Sequence, residues 1–312
     1  MIKLERIILN SLPIRFIIRK SKQLTLPGFQ GLSLFQVIQF FIQQVNKVGL
    51  NERAAAISFN FIMAIPASAI FLFTLVPYLP ISKQFTLQIL KLTKDITPNQ
   101  NTYLLINDFL NDFFNRPRNA LLSFGFLLAI FYSSNAMMGV IRTFDKSIFQ
   151  QKSTNFLQKR WKALTLTFIL TFLIFGIVLI LMGQDYLFKN LMHLMHIENK
   201  SIISMIKNLR WVFILLFFFY SIAFIYKYAP SVHKKWSLIS PGTILATILT
   251  IGTTLIFSWW VNNFGNYNKI YGSIGTAMVI MLIIYFNSLI LLIGFELNVS
   301  ITKLKSDKEE IN

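Results

Sequence analysis

"YGSIGTAMVIMLIIYFNSLILLIGFELN" occupies residues 271–298, and its reading decides the fold. The 26 residues 270–295 carry no formal charge, and Glu296 follows before the apolar pattern has ended. A helix rises about 1.5 Å per residue, so ~20 apolar residues cross the ~30 Å hydrocarbon core of a bilayer. Five further charge-free runs lie upstream, at 54–82, 119–141, 163–184, 211–226 and 236–268. The run at 211–226 is short, but Arg210 and Lys227 at its ends can reach the interfaces while their stems stay buried. The pattern predicts an all-α polytopic membrane protein with six spans, at about 54–79, 119–141, 162–183, 208–229, 238–262 and 272–298. Composition agrees: only 13% of the 312 residues are charged, about half the share in an ordinary soluble domain.

The flanking segments divide the chain further. Residues 1–50 read as a cytoplasmic amphipathic N-terminal segment, with a basic stretch at 2–20 and a helix opened by Ser33 as N-cap in "GLSLFQVIQFFIQQVNKVGL" (31–50). The early apolar stretches are broken by Arg6, Arg15, Arg19 and Lys20, which argues against a cleavable signal. Residues 51–302 form the transmembrane domain, with an outer amphipathic segment at 80–118, and 303–312 read as a solvated cytoplasmic tail. Within 101–115, Asn107, Asp108, Asn111, Asp112 and Asn115 share one helical face. Lys and Arg number 20 on the side of the two termini against ten on the other, which predicts both ends in the cytoplasm. The net charge of +18 then reads as topology and attraction to anionic headgroups. No basic motif with interleaved aromatics supports nucleic-acid binding.

Polar residues inside the spans are few, and a group that cannot meet water in hydrocarbon needs a partner. Arg53, Asn60, Asn135, Arg142, Asp145, Asn287, Glu296 and Asn298 are the candidates for a polar cavity or a substrate-binding site. Nearly all fall in the cytoplasmic half, and Asn135, Gly139 and Arg142 share a face at steps of four and three. For Glu296, Arg142 and Arg53 sit at matching depth on other spans, with Arg142 expected to be the closer. The fifth span carries a hydroxyl stripe, Ser240, Thr243, Thr247, Thr250, Thr254 and Ser258, which reads either as a close helix contact or as the wall of a groove. Pro66 predicts a kink in the first span. His193 and His196 stand three apart with Glu198 near, but no further ligand is evident and no metal site is expected. No glycine-rich phosphate loop, nucleophile elbow or zincin motif occurs, so neither a cofactor nor an enzymatic activity is expected.

Several stretches carry a resemblance: "RAAAISFNFIMAIP" (53–66) with "LVPYLP" (75–80), "FYSSNAMMGVIRTFDKS" (131–147), "KRWKALTLTFIL" (159–170), "YAP" (228–230) before "WSLISPG" (236–242), and "YNKIYGSIGTAMVIMLIIYFNSLILLIGFELN" (267–298). Together they resemble the YihY/BrkB family of bacterial inner-membrane proteins. The resemblance implies six spans with both ends cytoplasmic, and Asn135, Arg142, Glu296 and Asn298 as positions within matching motifs. Many relatives carry Asn near the end of the second span, where this chain has Asp145. An old label for such proteins is a tRNA-processing ribonuclease; others are linked to passage of lipid or lipopolysaccharide precursors. The functional expectation is binding or translocation of an anionic lipid or lipid-linked precursor, with membrane lipids as partners and self-association compatible with the sequence. The alternative is a membrane scaffold of the cell envelope; a ribonuclease is the weakest of the three readings.

Overall fold

The computed structural model describes residues 12–78, 104, 107, 108, 110–112, 118–149, 153–195, 200–233, 235–263 and 267–311. Within them the helices are α1 (Leu12–Gln23), α2 (Leu34–Val48), α3 (Leu50–Leu75), α4 (Asn119–Ser147), α5 (Phe156–Met195), α6 (Lys200–Tyr228), α7 (Pro241–Asn263) and α8 (Tyr267–Ile311). Among the described residues there is no β-strand. Each of α3 to α8 contains a stretch long and apolar enough to cross a bilayer, so the chain is an integral membrane protein with six candidate spans. Of 101–115, only six positions are described; Leu110 among them is buried. The first eleven residues, His196 and Glu198 lie outside the described residues, as does the side chain of His193.

Two helices exceed their expected spans by the widest margin. α5 runs for 40 residues and α8 for 45, because a charge-free run marks only the part of a helix in hydrocarbon and says nothing of its continuation among headgroups. The segment from 303 onward, expected as a solvated tail, is the end of α8. Lys305 and Glu309 pair along it at 3.5 Å, and Lys308 Nζ donates to Gln36 Oε1 of α2 at 3.3 Å. Pro66 lies inside α3 without ending it.

Without a hydrophobic drive between helices in lipid, close packing depends on small residues and interhelical hydrogen bonds. α3 and α4 pack along most of their length, burying Ala54, Ala64 and Ala67 of one and Ala129 and Ala136 of the other. α7 crosses α8 at Gly242 and Gly294. A Cβ on Gly294 would stand 2.5 Å from the Tyr226 hydroxyl and 2.8 Å from Ala246 Cβ, so no side chain fits there. Beside this crossing the main core holds Phe144 stacked on Phe295 at 3.7 Å, with Trp236 edge-on to Phe295 at 5.3 Å. Tyr226, enclosed in the same core, donates its hydroxyl to the Leu291 carbonyl at 2.7 Å.

α2 begins at Ser33, whose side chain accepts from Gln36 N while Gln36 reaches back to the Ser33 N–H, a capping box. It ends at Gly49, with φ +64°, the left-handed conformation that lets α3 start at once in a new direction. Val37 and Gln44, seven residues apart, face inward. Phe29, Leu32 and Val37 make a second small core with Leu297 and Ile301 of α8. The N-terminal segment is thereby attached to the end of the bundle formed by the second half of α8.

Candidate functional site

Alternating spans bring the start of α3, the end of α4, the start of α5, the end of α6 and the start of α7 to one end of the bundle. Most of the candidate polar residues gather there, but in separate groups rather than in one cavity.

The first group encloses Glu296, which has no exposed surface. Ser147 at the end of α4 donates its hydroxyl to Glu296 Oε1, and Arg53 Nη1 donates to Ser147 Oγ at 2.6 Å while standing 3.8 Å from the same carboxylate oxygen. Gln44 of α2 lies beside the carboxylate as well. The arginine at Glu296 is therefore Arg53 and not Arg142, which was expected to be the closer. Both occupy the right level, but the rotation of α4 turns Arg142 away.

Asp145 forms the second group. Its Oδ1 accepts from Ser231 N at 2.9 Å, and its Oδ2 lies 2.6 Å from Lys159 Nζ and 3.3 Å from Ser231 Oγ. This carboxylate fixes the turn after α6 to the start of α5, and its partners leave it little capacity for a ligand. Asn298 is similarly committed: Oδ1 accepts from Gly242 N at 2.9 Å and Nδ2 donates to Ser240 Oγ at 2.9 Å. It completes the cap of α7, where Ser240 precedes Pro241 at the first helical position. The hydroxyl stripe divides at this contact. Ser240, Thr243, Thr247 and Thr250 are buried, whereas Thr254 and Ser258 are exposed. Asn287 lies deeper, on an apolar cavity of about 350 Å³ with Phe61, Phe218 and Ser221; its Nδ2 donates to the Ile283 carbonyl at 2.9 Å.

The remaining candidates do come together. Asn60 of α3, Asn135 and Arg142 of α4, and Arg160 of α5 line a pocket of about 230 Å³, with Met138, Gly139 and Phe156 completing the wall. Gly139 permits the approach of α3, since a Cβ there would meet Asn60 Nδ2 at 3.0 Å. Arg160 Nη1 donates to Asn135 Oδ1 at 2.5 Å, and its guanidinium lies over the Phe131 ring at 5.3 Å. Asn60 Nδ2 donates to the Ala56 carbonyl at 2.8 Å. Arg142 is exposed and has neither hydrogen bond nor ion pair among the described residues. No carboxylate lines this pocket. Two guanidiniums without a counter-charge, beside two amides, make the pocket cationic and rich in hydrogen-bond donors.

Above the pocket the surface turns apolar. Phe124, Leu127 and Phe131 follow the face of α4 that holds Asn135, and they are 59%, 65% and 50% exposed. The 11 steps from Asn135 back to Phe124 rise about 17 Å, close to the depth of one hydrocarbon leaflet. Met63, one turn along α3 from Asn60, is exposed beside the same bundle face.

Arg160 was not among the residues singled out from the sequence. Its signal was the short α4–α5 connection: Arg142 stands five residues before the end of α4 and Arg160 four after the start of α5, which sets them at equal depth on neighbouring antiparallel helices.

Comparison with known proteins adds the relationship. The chain is similar to YfkH of Bacillus subtilis (strain 168), whose name describes it as ribonuclease-like, with 26% identity over 260 residues that cover 83% of this chain and 92% of that one. No solved structure matches. The family described as virulence factor BrkB matches residues 41–312, from the middle of α2 to the C-terminus. With that match spanning all six candidate membrane helices, the chain belongs to the BrkB family.

Proposed function

We propose that this protein binds an anionic amphipathic molecule of the cell envelope, a lipid or lipid-linked precursor, and moves or presents it within the bacterial cytoplasmic membrane, with both chain ends on the cytoplasmic side. One observation carries the reading: an acid-free pocket of two arginines and two asparagines at the foot of an exposed apolar face one leaflet deep. A phosphate headgroup suits the planar guanidinium fork, and acyl chains suit the face of Phe131, Leu127 and Phe124. The excess of Lys and Arg on the side of the termini supports the orientation. The ribonuclease in the name of the Bacillus relative would require a group that takes a proton from the attacking hydroxyl. The residues lining this pocket include no carboxylate or imidazole for that task, which favours binding over cleavage.

The test is reconstitution. Protein extracted in mild detergent should retain anionic lipid, detectable by native mass spectrometry, and Arg142→Ala with Arg160→Ala should lose it. In vesicles, labelled anionic lipid should exchange between leaflets faster with the protein than without it. Equal lipid retention by the double variant, together with exchange no faster than in empty vesicles, overturns the reading.

A further inference from the structure

We propose that the Arg142–Arg160 pocket selects a doubly charged terminal phosphate, the phosphomonoester or diphosphate end of a lipid, over the singly charged phosphodiester of ordinary phospholipids. The inference deepens the function proposed above and rests on it. Arg142 has no partner among the described residues, and the partner of Arg160 is the neutral Asn135. The pocket therefore holds two positive charges that nothing within it balances. A phosphodiester compensates one of them. A terminal phosphate, with a second pKa near 6, carries about −1.5 to −2 at neutral pH and offers three acceptor oxygens to two planar forks and to the Asn60 amide. A volume of about 230 Å³ accommodates such a group with water around it.

The same composition dictates a pH signature. On α3 the nearby charged groups are Glu52, beside Gly49 at the helix start, and Arg53, turned toward Ser147 and Glu296. On α4, Lys146 is exposed and Asp145 faces Ser231 and Lys159. On α5, Lys159 is paired with Asp145 and Lys162 donates to Ser231. None lines the pocket, and no histidine does. Arginine stays charged throughout. Between pH 5 and pH 8 the titrating partner is the ligand's own phosphate, so selectivity is present above its second pKa and is lost below it.

Full-length protein in nonionic micelles would be titrated with short-chain phosphatidic acid, phosphatidylglycerol and water-soluble glycerol phosphate, at pH 7.5 and at pH 5. Phosphatidic acid should bind at least about tenfold more tightly than phosphatidylglycerol at pH 7.5, as a second charge facing a guanidinium warrants. At pH 5 that ratio should fall toward one, with phosphatidylglycerol itself unchanged. Arg142→Gln and Arg160→Gln, checked for normal elution, should each remove most of the preference. Glycerol phosphate should bind at least about tenfold more weakly than phosphatidic acid if the acyl face contributes; equal affinity overturns a lipid as the source of the phosphate. Equal binding of both lipids at pH 7.5, weakened alike in the variants, overturns the charge selectivity while leaving headgroup binding in place. Absence of binding by every lipid overturns the function on which the inference rests.

Discussion

α4 serves two polar regions of opposite character. Five residues separate Arg142 from Ser147, a rotation of about 140° around the helix. On the Ser147 side, Glu296 is sealed from solvent and held by Ser147 and Arg53. On the Arg142 side, two cations face an open pocket with only amides for company. The first region has its charges matched from within the fold, and the second has charge left over. Matched polar groups deep in a membrane bundle fix which helix faces which, whereas unmatched ones at its rim have capacity for something else.

Mutation can break this contrast at several points. The largest effect belongs to the crossing that frames the closed side. Gly242→Leu would drive a side chain into the Gly294 carbonyl and Asn298, and is expected to destabilise the fold by more than about 3 kcal/mol. Thermal unfolding in detergent would register it, and a near-normal midpoint would show that the helices can separate there at little cost. Next comes the acid. Arg53→Ala leaves Glu296 without its cation and should cost about 3 kcal/mol, much of it restored by adding Glu296→Gln; a double-mutant cycle with no coupling would mean that Ser147 and Gln44 suffice. Asp145→Asn keeps an acceptor for the Ser231 amide while losing the charge opposite Lys159, for an expected cost of about 1 kcal/mol. A loss several times larger would make the ion pair, rather than the backbone hydrogen bond, the main tie. Smallest in stability is Arg142→Gln, expected within about 0.5 kcal/mol of wild type yet deficient in anionic lipid retention. A marked loss of stability there would move Arg142 from the open region to the closed one.

Much of the architecture was legible from charge-free runs, since backbone satisfaction in lipid leaves an apolar stretch of that length few alternatives to a helix. Helix ends were less so. α5 and α8 continue past their apolar segments because helices persist among headgroups, where charge is no longer costly. That Glu296 needs a partner was readable from span six alone, but its complete burial was not. The partner of Glu296 was not, because hydropathy and topology give the depth of Arg53 and Arg142 but not the rotation of the helices that carry them. The candidate site was half legible for the same reason. Asn60, Asn135 and Arg142 stood at a common depth, while Arg160 entered only through the packing of α5 on α4. Asn298 and Asp145, alike in depth to the others, proved to be a helix cap and a loop anchor.

α8 leaves the apolar zone without a break and ends in a stub rich in Lys, Asp and Glu. From Leu297 to Ile311 that stub is about 21 Å long, and Lys308 meets Gln36 partway along it. A helical fusion joined in register to its last turn would be carried as a stiff handle, turning whenever the sixth span turns. Such a handle would give a small helical membrane protein a fixed landmark for particle alignment, and a lever through which tilting of that span could be followed from the aqueous side.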